Sequence, residues 1–277
     1  MAATASDRLQ RASGESRVAF AVRDGQTRLA DLYQRDPCRV LFPDPEPGEP
    51  PQAVLVTTSG GATDGDRLGM AVEVGPGAEA VAATQAAEKI YRAAKSAEHC
   101  SMEIALTIGE GATLDWLPQE TIVFEGARLK RRTVADVGAG GSLLACEMVV
   151  LGRAASGERF TGGLLLDSWS VRRIDGKRAG KLAWTDTLRV EGETPLGAGF
   201  GEANALATVI GVRDAPEPYF EKARRLLEAA DKVRAGVTLV NGIVVARLLG
   251  EATSVRAATT RFLGDLRGRR LPRVWHI

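Results

Sequence analysis

Soft metal ligands are scarce in this chain: two histidines, His99 and His276, and three cysteines, Cys38, Cys100 and Cys146, in 277 residues. The cysteines lack CxxC spacing, so neither a disulfide framework nor a thiolate zinc site is indicated, and two distant histidines build no His-rich site alone. His99-Cys100 reads as ordinary residues at the mouth of a strand, and cysteines in apolar or mixed surroundings read as small buried hydrophobes. Aromatic residues make up only 5% of the chain, which leaves few platforms for stacking bases or sugars. Charge of one sign is lacking too, since the formal net charge of +1 exerts no global pull toward nucleic acid or an anionic membrane. The longest apolar run, Leu143 to Leu151, is interrupted by Glu147 and falls far short of the ~20 residues that cross a bilayer. No apolar stretch follows Arg8, Arg11 and Arg17 to form a secretory core, so a cytoplasmic location is expected. Nucleotide loops of either glycine-rich type are missing, as is the Gly-x-Ser-x-Gly elbow of a serine hydrolase.

What is present is strand pattern and glycine. Met70–Val74 leads into Gly75-Pro76-Gly77, Met102–Ile108 into Gly109-Glu110-Gly111, and Thr133–Val137 into Gly138-Ala139-Gly140. Met102, Ile104, Leu106 and Ile108 share one face and Glu103, Ala105 and Thr107 the other, the two-residue period of a half-buried strand. After each turn an extended pattern resumes, as in Thr113–Leu117 and Ser142–Val150. The unequal spacing excludes a strict solenoid and predicts stacked hairpins or a β-helix-like layering. Further strands are predicted at Val18–Val22, before the Asp24-Gly25 turn, at Ala53–Val56, at Gly162–Leu166 and Trp169–Arg173, and at Ala183–Val190, with an Asp175-Gly176 turn. Pro43 to Pro51 is too proline-rich for anything but a loop. Asn241-Gly242 between Val237–Val240 and Ile243–Arg247 is a hairpin signal. Helices are expected from Pro218 to Ala230 and from a Thr253 or Ser254 cap to a stop at Gly268. The fold class is thus mainly β, one large domain of layered or β-helix-like strands over residues 18–277 with about two added C-terminal helices. Residues 1–17 are set apart as a flexible N-terminus.

Three groups of charged residues stand out. Glu147 breaks a largely apolar strand, where an ionised carboxylate needs an arginine, water or a passing cation unless alternation turns it outward. Asp64 and Asp66 share a glycine-containing loop that also fits an Asp-stabilised turn. The basic run Lys130, Arg131 and Arg132 reads as a protein-docking face or a solvated edge. The apolar tail at Leu271–Ile277, with Trp275, either packs back on the domain or joins a partner surface.

Several segments resemble one family. Gly60-Gly61, Gly65-Asp66-Arg67-Leu68, Val74–Ala78, Ala83–Arg92, Leu117–Leu129, Glu147–Arg153 and Leu271–Trp275 are similar to the urease accessory protein family UreD, also called UreH. The likeness spans roughly 18–277, and the run around Leu117–Leu129 is specific rather than compositional. The loop Ser59–Asp66 departs from the family, which more often has an apolar residue and an extra glycine there. The resemblance implies a non-enzymatic scaffold in the maturation of a nickel enzyme. It implies binding of apo-urease and of UreF, with the GTPase UreG reached through UreF, and passage of nickel through a polar tunnel toward the urease active site. No tightly bound cofactor is expected, only transient nickel(II). On that reading Glu147, with Asp64 and Asp66 as lesser candidates, lines or gates the passage, while Arg131, Arg132, Phe262 and Trp275 are candidates for partner binding. Two other classes remain open on the residues alone: a carboxylate-based glycan-active enzyme, which needs two acids facing a groove, and a purely structural strand-stacked oligomer.

Overall fold

Alternating side chains along the strands, joined at glycine turns where the chain changes direction, build a two-sheet architecture. The computed structural model describes residues 11–94, 98–153, 156–174, 180–192 and 199–276. In chain order the first strands are β1 (Ser13–Arg23), β2 (Gln26–Arg35), β3 (Cys38–Leu41), β4 (Gln52–Thr57), β5 (Arg67–Val74), β6 (Glu79–Thr84), β7 (Glu88–Ile90) and β8 (Cys100–Ile108). There follow β9 (Thr113–Trp116), β10 (Thr121–Val123), β11 (Arg128–Val137), β12 (Ser142–Leu151), β13 (Leu164–Arg173), β14 (Lys181–Glu191) and β15 (Ala205–Val212). Helix α1 (Pro216–Glu228), the hairpin β16 (Val233–Val240) and β17 (Ile243–Gly250), helix α2 (Ala252–Arg267) and a 3-10 turn at Arg273–His276 complete the chain.

One sheet runs β14-β13-β11-β8-β5-β1-β2; the other runs β16-β17-β15-β12-β9-β6-β4-β3, with β7 and β10 joined to it beside β12. The middle of each sheet is parallel: β1, β5, β8, β11 and β13 in the first, and β4, β6, β9 and β12 in the second. The three Gly-x-Gly motifs are the corners where the chain passes from the first sheet to the second. They stack through backbone bonds, Gly109 N to Val74 O and Gly138 N to Ile108 O at 2.8 Å, and Gly77 N to Glu110 O at 2.8 Å. A methyl group on Gly109 would lie 2.7 Å from Pro76 N, so the close approach of successive corners requires glycine. The repeat therefore builds β-helix-like coils rather than stacked hairpins, because each corner delivers its strand beside the equivalent one, in parallel.

Apolar residues of the two inner faces form the main core, which includes Phe20, Leu106, Ile108, Leu114, Trp116, Leu143 and Leu165. A second core lies on the outer face of the second sheet, where α1 and α2 cover Leu144, Cys146, Met148 and Leu248. Strand β12 is thus buried on both faces, which explains its near-continuous apolar run.

Several boundaries differ from expectation. The first strand opens at Ser13 rather than Val18, so Ser13–Arg17, assigned to the flexible tail, are part of a sheet; residues 1–10 lie outside the described residues. Gly162–Leu166 and Trp169–Arg173 are not two strands: Leu164–Leu166 and Trp169–Arg173 belong to the single β13, with Asp167 and Ser168 extended between them and paired to β11, while Gly162 and Gly163 precede it. The Asp175-Gly176 turn falls outside the described residues. Helix α2 is capped by Glu251, whose carboxylate accepts from the backbone N–H of Thr253 and Ser254 at 3.0 and 3.1 Å, rather than by Thr253 or Ser254. It ends at Gly268 in the left-handed conformation, as expected. Asp24-Gly25 and Asn241-Gly242 both adopt positive φ at their hairpin turns, also as expected. No described helix is long and apolar enough to cross a membrane.

Candidate functional site

Strand β11 sets the site. Its period of two places Leu129, Arg131, Thr133, Ala135 and Val137 toward the core and Lys130 and Arg132 toward solvent. Arg131, expected on a docking face, is therefore buried at 4% exposure. Arg132 remains outside, 3.7 Å from Glu103 across the neighbouring strand. The register of β11 and β13 makes Asp167 the direct neighbour of Arg131, and Thr133 the neighbour of Trp169. Glu147 reaches in from β12 on the opposite sheet.

These side chains form one cluster between the sheets. Arg131 donates through Nε and Nη2 to the two oxygens of Asp167 at 3.0 and 2.7 Å, the fork geometry of a bidentate pair. Its Nη1 lies 2.8 Å from Glu147 Oε1 and donates to Thr121 Oγ1 at 2.7 Å. The Trp169 indole N–H donates to Glu147 Oε2. Glu147 is 5% exposed and Asp167 8%. One cation thus faces two buried carboxylates. Burial pushes the Glu147 carboxyl well above the usual carboxylate range against the pull of Arg131, and the Asp167 charge pushes the same way. Burial works against the Arg131 charge, but Asp167 and Glu147 more than offset it and hold the guanidinium above its ordinary value.

A third carboxylate completes the picture. Glu88 of β7 is the register neighbour of Thr121 on β10, so it stands about one strand spacing, roughly 4.8 Å, along the sheet from a hydroxyl that Arg131 touches. Burial raises its carboxyl from 4.5 to about 6, with Thr57 and the Arg131 charge pulling it down. Glu88 also lines a cleft of about 210 Å³ open to the surface between Leu55–Thr57, Gly60-Gly61 and Thr84–Lys89. On the inner face of the first sheet, Thr133 of β11 and Ser16 of β1, three strands away, stand at the two ends of one row that passes through Met70 and Ile104. Their hydroxyls, and the indole nitrogen of Trp116, are buried without a hydrogen-bond partner.

The other predicted residues lie elsewhere. Asp64 is fully buried and holds its loop: it accepts from Ala94 N and Thr63 Oγ1 at 2.9 Å and from Arg11 Nη2 at 3.1 Å. Asp66 accepts from Ala12 N and Thr63 N at 2.8 Å, tying the start of β1 to the same loop. These bonds account for both residues as fold-holding groups and do not join them to Glu147. Phe262 and Trp275, expected at a partner surface, are each only 4% exposed and belong to the second core. The Trp275 indole donates to Leu117 O at 3.0 Å and Arg256 lies over its ring, so the tail packs back on the domain.

Reasoning from sequence missed Asp167, Trp169, Thr121 and Glu88. For two of them a signal existed, since Leu165, Asp167, Trp169 and Val171 alternate as cleanly as the residues of β8. Cys38, Cys100 and Cys146 are all buried thiols; burial raises Cys38 to about 11 and Cys100 to about 12, which keeps them protonated and unreactive. Among the described residues no group of three or more His, Cys, Asp or Glu side chains is arranged to hold a metal ion. Glu147 and Asp167 converge on an interior arginine and do not face each other across an open groove, the geometry a glycan hydrolase needs.

Residues 12–276 match the profile of the family described as UreD urease accessory protein. Among similar proteins, "Urease accessory protein UreD" of Magnetococcus marinus is 40% identical, covering 97% of this chain and 95% of its own length. "Urease accessory protein UreD 1" of Methylobacterium radiotolerans is 41% identical over 96% of this chain and 92% of its own, and the UreD of Rhizobium leguminosarum bv. trifolii is 37% identical with both chains fully covered. With end-to-end similarity at this level, the chain belongs to the UreD family of urease accessory proteins.

Proposed function

We propose that this chain is a cytoplasmic scaffold of urease maturation that binds apo-urease and UreF, meets the GTPase UreG through UreF, and conveys nickel(II) between its two sheets toward the urease active site. It acts as an accessory protein rather than as an enzyme. The observation that carries the nickel reading is the buried excess of negative charge: Glu147 and Asp167 share the single cation Arg131, with Glu88 between them and a surface cleft. An apolar interior tolerates such an excess only with a proton or a counter-cation in place. The partnerless hydroxyl of Thr133, two residues along β11 from Arg131, suits a wetted passage, because water or a hydrated ion satisfies groups of this kind. Carboxylates and hydroxyls bind a divalent ion less tightly than a thiolate or imidazole set, which favours transit over storage. Nickel is cargo here, not a resident cofactor.

The test replaces Glu147 with glutamine and measures nickel per urease active site after activation of the assembled complex. Reduced nickel content in a complex of normal composition is expected. Full loading at the wild-type rate would remove Glu147 from the path.

A further inference from the structure

Every carboxylate oxygen at the centre of the cluster is already engaged. Arg131 holds both oxygens of Asp167 and one of Glu147, and Trp169 holds the other. A divalent cation cannot take a place on Glu147 while a guanidinium sits 2.8 Å from the same carboxylate, since the two positive charges repel across a poorly screened interior. The arrangement described is therefore a closed one. It also contains a second seat for the arginine. Arg131 Nη1 rests on Thr121, whose register neighbour on the same face is Glu88, and Glu88 borders the cleft that leads outside. A shift of the guanidinium by about one strand spacing, roughly 4.8 Å, exchanges Glu147 and Asp167 for Glu88, so the cation has a carboxylate partner at either end of the move.

We infer that Arg131 is the gate of the passage, swinging from Glu147 and Asp167 to Glu88 to admit a divalent cation, and that Glu88 holds the open position. This rests on the conveyance of nickel proposed above and adds its regulation. Arg131 then acts as the ion's stand-in: at rest its side chain occupies the oxygens of Glu147 and Asp167 and offsets part of their charge, and the arriving ion replaces it on the same oxygens. The role needs a long cation with a forked head. Lysine keeps the charge but lacks the planar fork that matches Asp167, and its three donors cannot reproduce the four contacts that Arg131 makes with Asp167, Glu147 and Thr121.

The two gate residues are tested by changes of opposite sign. Complexes containing wild-type chain, Arg131→Lys, Glu88→Gln or Glu147→Gln are assembled with apo-urease and the accessory partners, supplied with sub-saturating nickel(II), and followed for the rate of nickel incorporation. Arg131→Lys weakens the closed state and is expected to load faster, by about fivefold for a lost hydrogen bond of roughly 1 kcal/mol. Glu88→Gln removes the open seat and is expected to load slower by a similar factor, with the same final nickel content. A purely structural role for Arg131 predicts no acceleration. If Glu147→Gln is slow while Arg131→Lys and Glu88→Gln load at the wild-type rate, the gate is overturned and the passage stands; if Glu147→Gln also loads normally, the passage itself fails. Where Arg131→Lys does not assemble, Glu88→Gln decides alone.

Discussion

Arg131→Met and Glu147→Gln sit 2.8 Å apart in the folded protein, yet they are expected to differ in cost by several kcal/mol. Removing Arg131 leaves Glu147 and Asp167 buried together with no cation between them. Loss of one partner from a buried ion pair costs about 3–5 kcal/mol, and here two carboxylates lose the same partner. One of them must take up a proton for the fold to persist. Glu147→Gln does the opposite: Arg131 keeps its bidentate pair with Asp167, and the excess negative charge disappears. The amide still accepts one of the two bonds that Glu147 accepts from Arg131 and Trp169, so the net change is expected within about 1 kcal/mol. The sign of the pH dependence follows from linkage. A carboxyl whose folded-state pKa lies above its unfolded value contributes stability at low pH and loses it as pH rises, so Glu147→Gln should gain on the wild type as pH is raised from the ordinary carboxylate range. Urea denaturation of each protein across pH 5 to 8, in the same complex or solubilising context, measures all three quantities. Equal losses for Arg131→Met and Glu147→Gln would show that the cluster is a balanced ion pair and would remove the charge excess on which the functional reading stands.

Three further outcomes are expected. Gly109→Ala places a methyl 2.7 Å from Pro76 N and forces successive corners apart, whereas Gly77→Ala meets nothing within 4 Å and suffers only the strain of its positive φ; thermal melting should show the first to be worse, the second costing about 1 kcal/mol. Trp275→Phe removes the bond to Leu117 O and should cost about 1 kcal/mol, while truncation after Arg270 takes Leu271 and Trp275 out of the second core and should lower the melting temperature before it alters any pull-down. Glu88→Gln should stabilise the protein by roughly 1 kcal/mol at pH 7, because the wild type bears the cost of ionising a partly buried carboxyl. That advantage should vanish as pH falls from about 6 to below 4.5, and an advantage that persists there would refute the assignment.

Period-two alternation and glycine turns made most of the longer strands, the three corners and the two hairpin turns legible in the sequence, and apolar stripes with caps did the same for both helices, because each depends on residues close together in the chain. The same alternation already implied that Arg131 and Arg132 face opposite ways, a consequence obscured by reading Lys130, Arg131 and Arg132 as one basic run. Strands β2 and β15 were not predicted, β2 because it is exposed along nearly its whole length and β15 because it is buried between neighbours that the sequence does not name, and the short β3, β7 and β10 also went unread. Parallel register was beyond local pattern altogether: which strand lies beside which is set by the stacking of corners, and that register alone places Asp167 beside Arg131 and Glu88 beside Thr121. The sequence identified Glu147 as a charge in the wrong surroundings. Only the closing of one sheet over the other decided that its partner is Arg131, since a contact between β11 and β12 across the interior depends on how the two faces meet.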